Sequence, residues 1–219
     1  MKLSRLAVRL GAILVASAAR AQESKGTSTV INFDQEVPER APTGFSIART
    51  GGGAVGRWVV KAEKDAPSAP NVLAQVETDS TDYRFPVAVA DSPWMKDGKV
   101  SVKCKPVSGS VDRACGLVFR YQDEDNYYLA RANALEDNTR LYFVKAGQRR
   151  EIASSSGKVA TGVWHELVAD AQDDHLQVFL DGKRIIDAHD KTFSGSGRAG
   201  VWTKADSVTY FDDVAITPR

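Results

Sequence analysis

Hydrolysis of a glycosidic bond needs two carboxyl groups held a fixed distance apart, and the chain offers three sets to test. Glu166 and Asp170 share one face of a strand-like run, but four residues of extended chain put their backbones roughly 13 Å apart. Retaining hydrolysis needs carboxyls about 5 to 5.5 Å apart and inverting hydrolysis about 6.5 to 9.5 Å. Asp212 and Asp213 are adjacent in a strand and so point to opposite faces. Asp123, Glu124 and Asp125 fall in a short turn, where acids are solvated. The histidines, His165, His175 and His189, lie near no G-x-S-x-G elbow and in no H-E-x-x-H spacing. Calcium could use the oxygens of Asp123, Asp125 and Asn126, but Q-D-E-D-N has no defined loop motif. No metal and no cofactor are expected, and no catalytic residue is assigned.

Binding chemistry is better represented. Tyr127, Leu129, Arg131 and Asn133 alternate with Ala130, Ala132 and Ala134, so the polar pair shares a face while small residues line the other. Arg120 emerges from the preceding apolar run, Glu136 and Asn138 occupy the next turn, and Trp202 and Lys204 alternate on a late strand. Guanidinium offers fixed donor pairs, and a side-chain amide both donates and accepts. With an aromatic ring, such groups suit the hydroxyls and the apolar face of a sugar. The expected carbohydrate-binding set is therefore Arg120, Arg131, Asn133, Glu136, Asn138, Trp202 and Lys204. The blander reading of the same residues is a cross-strand ion-pair ladder beside a core tryptophan.

These side chains must be positioned by strands. No window carries a sustained helical period with caps, whereas β-rich runs bounded by turn residues recur at short intervals. Fourteen runs are expected to be strands, starting at 45–50, 57–62, 72–76 and 84–90 and continuing through 99–105, 116–121 and 126–133. The later ones are 140–145, 149–153, 164–170, 175–180, 183–188, 197–203 and 207–216. That number calls for two packed sheets. Asp181-Gly182 is the clearest hairpin turn, while the glycines at 51–53 and the A-P-S-A-P run at 66–70 read as loops.

The chain opens with Lys2, Arg5 and Arg9, a short apolar run and small residues around Ala21, the pattern of a signal peptide over 1–21. The remaining 22–219 are expected to form one domain, exported to the periplasm or beyond, without membrane insertion. Removing the leader takes away four basic residues and no acid, turning the formal charge from +1 to −3. That balance gives no electrostatic case for nucleic acid. In an oxidising compartment Cys104 and Cys115 are expected to pair. A tight hairpin at Gly109-Ser110 would set Pro106 opposite Arg113 at a hydrogen-bonded site, so a looser connection is expected.

The succession GLVFRY, NYYLARAN, WHELV, LQVFLDGKRI and AGVWTKADSVTYFDDVAI resembles the concanavalin A-like lectin and glucanase superfamily in its laminin-G-like form. It is similar to exported bacterial proteins labelled family 16 glycoside hydrolases or 3-keto-disaccharide hydrolase domains. The resemblance implies an all-β jelly-roll sandwich of two antiparallel sheets. It transfers no catalytic residue, because the family 16 E-x-D-x-x-E string is absent. Carbohydrate binding on the concave sheet is the leading expectation. A 3-keto-disaccharide-type hydrolase and a protein-adhesion or accessory module are the alternatives.

Overall fold

The computed structural model describes residues 26–219, and the expected leader lies outside them. The elements are β1 (Thr29–Ile31), β2 (Phe45–Gly51), β3 (Trp58–Ala62), β4 (Asn71–Gln75), β5 (Arg84–Ala90), β6 (Gly98–Ser108), β7 (Ala114–Asp123) and β8 (Asn126–Asn133). They continue as β9 (Asn138–Lys145), β10 (Gln148–Ser156), β11 (His165–Gln172), β12 (His175–Leu180), β13 (Lys183–His189), β14 (Arg198–Trp202) and β15 (Val208–Pro218). One sheet runs β13-β12-β11-β6-β15-β4-β3 with β1 paired to β15, and the other runs β10-β9-β8-β7-β14-β5-β2. All pairings among these strands are antiparallel. This is the expected two-sheet jelly roll.

Strand alternation divides the apolar residues into two layers. Leu117, Phe119, Tyr128, Ala130 and Ala132 of the seven-stranded sheet pack against Val100, Val102, Leu167 and Val178 of the eight-stranded sheet, making the core between them. The alternate residues Val118, Tyr127, Leu129 and Tyr142 join Phe85, Val87 and Trp202 in a second cluster drawn from the seven-stranded sheet alone. That sheet therefore buries apolar side chains on both faces.

Asp181 and Gly182 adopt φ of 49° and 78° between Leu180 and Lys183, the type I′ geometry expected of that dipeptide. The 63–70 loop packs back on the eight-stranded sheet, where the Ser68 backbone N–H donates to Asp212 Oδ2 at 2.8 Å. Cys104 and Cys115 form a disulfide, with Cα atoms 6.2 Å apart. They sit on β6 and β7, which belong to opposite sheets, so the bond crosses the core between facing layers and does not join neighbouring strands.

A closed loop of this length stabilises the fold by about 3 kcal/mol through loss of unfolded-chain entropy. Replacing both cysteines with alanine is expected to lower Tm by about 6–12 °C in calorimetry, and reductant should not affect the variant.

Candidate functional site

The outer face of the seven-stranded sheet is organised around one row. Reading across the strands, Ala48, Val87, Trp202, Gly116, Arg131, Arg140 and Ser154 stand opposite one another. Gly116 is the position in that row that must lack a side chain. A Cβ there would fall 2.7 Å from Trp202 Cε3 and 2.9 Å from Leu129 Cδ1, so the indole leans across the glycine. Trp202 is fully buried. It packs on Phe85 at 5.3 Å between ring centroids and forms a floor, with no ring face for a ligand.

Part of this floor is roofed. Tyr83, just before β5, packs at a tilt against Phe85 with ring centroids 4.6 Å apart, and its hydroxyl donates to Gly147 O while accepting from the Arg149 backbone N–H. The approach to β5 is thereby tied to the β9–β10 turn across the sheet. The guanidinium of Arg149 lies over Phe85 at 4.5 Å, Tyr142 at 4.7 Å and Trp202 at 6.0 Å. Tyr83 itself is 39% exposed and supplies an accessible ring at the rim.

The other part is polar. Arg131 Nη2 donates to Glu136 Oε2 at 3.0 Å and to Asn138 Oδ1 at 2.6 Å, and Asn138 Nδ2 donates to the same Glu136 oxygen at 3.0 Å. Arg140 bridges Glu136 and Glu151, each at 3.4 Å. Beside them Asn133 Nδ2 donates to Asp112 Oδ1 at 2.9 Å, and its own oxygen accepts from the backbone N–H of Leu135 and Glu136. Lys204 completes the set, between Asp112 at 3.1 Å and Asp82 at 2.5 Å.

Six of the seven residues expected from the sequence thus meet on one face: Arg131, Asn133, Glu136, Asn138, Trp202 and Lys204. Arg120 stands apart. A bulge follows Phe119, and Arg120 takes φ of 47°, which breaks the alternation that would have put it on the same face as Arg131. Its guanidinium is buried against the carbonyls of Lys96, Phe193 and Asp173 and against Asp97, over the core-facing Tyr128. It clamps loops at one end of the sandwich. Arg140, Tyr142, Arg149 and Glu151 join the site unanticipated. The alternation of Arg140 with Tyr142 and of Arg149 with Glu151 carried the signal, but pairing them with Arg131 required the register.

Charge states follow from these contacts. Burial works to raise the Glu136 pKa, but hydrogen bonds from Asn138 and Arg131 with the charges of Arg131 and Arg140 outweigh it and hold the carboxyl at about 2. Burial raises Asp112 against the pull of Arg131 and Lys204. Asp206 shows the opposite balance to Asp112: burial is outweighed by the backbone N–H groups of Ser110, Asp112 and Val111 and the Ser110 hydroxyl, leaving it at about 2. Asp206 thereby fixes the loop that presents Asp112.

The other acids and histidines lie elsewhere. Glu166 pairs with Lys103, and Asp170 with Arg219 and Lys99. Asp212 is buried under the 63–70 loop, and desolvation pushes it up to about 6. Asp123 accepts from the Asp125 backbone and from Asn126 within the β7–β8 turn. His165 Nδ1 contacts Asp181 Oδ2 at 2.8 Å and helps line a hollow of about 480 Å³ with Trp164, Glu166 and Lys103, on the eight-stranded sheet.

No family model matches the chain. Over 129 residues it is 31% identical to levanase of Bacillus subtilis (strain 168), an alignment covering 58% of this chain and 18% of that protein. The chain thus spans about a fifth of that relative's length. Among solved structures it is similar to the carbohydrate-binding module CBM66 from Bacillus subtilis, with a TM-score of 0.64 and 22% identity over 80% of this chain and 96% of that one. A β-glucanase of Bacillus licheniformis gives 0.55 and 14% identity over 90% and 100%. At such identities these likenesses establish the fold alone, a jelly-roll sandwich of two antiparallel sheets.

Two outcomes test the geometry. Gly116→Ala is expected to cost about 1–3 kcal/mol by overpacking, read as a lower urea midpoint at unchanged slope. Gly157→Ala, where nothing lies within 4 Å of an added Cβ, should not shift it. Because the folded pKa of Asp206 is depressed below an unfolded value of about 3.9, its contribution is fully present above about pH 4 and is lost as pH falls toward 2. In denaturation titrations across that window, Asp206→Asn should flatten the acid limb of the stability profile.

Proposed function

We propose that this is an exported carbohydrate-binding module whose ligand lies on the outer face of the seven-stranded sheet, the side read from the sequence as concave. The observation that carries the proposal is the arrangement of Glu136, Arg140 and Glu151. Their side chains are 40%, 33% and 43% exposed, yet each is held by an ion pair to its neighbour before any ligand arrives. Such an array presents fixed acceptors and donors at spacings a polyhydroxylated ring can bridge, and little ordering entropy remains to be lost on binding. Tyr83 at the rim supplies a ring for the apolar face of a sugar. The similarity to levanase, a sugar-polymer enzyme by its name, and the fold shared with CBM66 agree with this reading.

The same geometry argues against Glu136 as a general acid. A catalytic acid must hold its proton near working pH, and Glu136 is held at about 2.

The test is a glycan array with soluble oligosaccharides, levan included, on the chain and on Arg140→Ala, with product analysis of the same samples. Binding without turnover, weakened about tenfold or more in the variant, is the expected result. Turnover would favour the hydrolase instead, and binding unaffected by Arg140→Ala would move the site off this face.

A further inference from the structure

Arg149 differs from every other cation on this face. Arg131 and Arg140 are committed to Glu136 and Glu151, and Lys204 to Asp82 and Asp112. The Arg149 guanidinium has no hydrogen-bond or ion-pair partner among the described residues, and its Nη1 is shut off from solvent with no acceptor. It is nevertheless held in place over the rings of Phe85, Tyr142 and Trp202, with its backbone N–H fixed by Tyr83. An arginine that is partly desolvated, immobilised on aromatic rings and left without an acceptor is incomplete in the protein alone. Charged hydrogen bonds are the strong ones, and a guanidinium fork matches a carboxylate with two parallel N–H donors.

Building on the carbohydrate-binding assignment above, we infer that the ligand of this face is an acidic glycan, carrying the carboxylate of a uronic acid, and that Arg149 receives that carboxylate. The paired array of Glu136, Arg140 and Glu151 then contacts hydroxyls of the same or the adjoining sugar. The Arg149 guanidinium, which acts on Asp82 from beyond ion-pair distance and pairs with no acid among the described residues, selects the anion, while the paired charges of Glu136, Arg140 and Glu151 contribute hydrogen bonds.

The experiment is titration calorimetry with oligogalacturonate and with a neutral galacto-oligosaccharide of equal length. It is run on the chain, on Arg149→Met, which keeps an unbranched aliphatic cover over the rings, and on Arg149→Lys, with circular dichroism checking that each variant folds. The chain should bind the acidic oligomer at least about tenfold more tightly than the neutral one. Arg149→Met should erase that preference, and Arg149→Lys should restore only part of it, because an ammonium keeps the charge and loses the fork. Equal or stronger binding of the neutral oligomer, or a preference that survives Arg149→Met, would overturn the assignment to Arg149 and leave the carbohydrate-binding reading standing. Absence of binding to either class, together with an empty glycan array, would overturn both.

Discussion

The outer face of the seven-stranded sheet depends on a tryptophan laid over a glycine. Most sandwich strands bury one face and offer the other to water, but here Trp202 fills the space that Gly116 leaves open and seals a second apolar layer with Phe85, Leu129 and Tyr142. Because Gly116 stands between Trp202 and Arg131 in one row, a wider residue there would displace the indole that leans across it. The floor is thus fixed by packing before any polar group is considered. Tyr83 and Arg149 then close over it, tying the chain before β5 to the β9–β10 turn on the far side of the sheet.

The polar half rests on that floor. Arg131 and Tyr142 are nearly buried, and the Arg131 guanidinium lies 5.8 Å from the Tyr142 ring. Buried and half-buried ion pairs contribute little net stability, since desolvation offsets the attraction. Their consequence here is geometric. Glu136 holds Arg131, Asn138 and Arg140 in one arrangement, and those contacts keep it ionised far below neutral pH, so the surface presents a fixed pattern of charge across the working range. A fixed, ionised pattern suits recognition better than proton transfer.

The sequence was legible wherever alternation ran unbroken. Tyr128 to Asn133 pairs in uninterrupted register with the strands on either side, which is why Arg131 and Asn133 fall on the face expected of them. Legibility failed at the bulge after Phe119, where the positive φ of Arg120 reverses the side-chain direction with no signal in GLVFRY. It failed again for Thr29–Ile31, three residues too short to show a period. The disulfide partners could be paired from composition and compartment, but not their placement in opposite sheets, because pairing says nothing of which layer a strand joins. Trp202 lies on the face expected of it, and of its two readings the core one matches its burial, which comes from Gly116, Phe85 and Arg149, all remote from it in the chain.

The proposed ligand site is the outer face of the seven-stranded sheet. Amide and arginine Nε chemical-shift mapping on the labelled chain, titrated with whichever glycan binds, tests this most directly. Placement on that face predicts perturbations at Tyr83, Glu136, Arg140, Arg149 and Glu151, with the Trp164 and His165 region unmoved. Perturbations confined to Trp164, His165 and Glu166, which line the hollow on the opposite sheet, would contradict it.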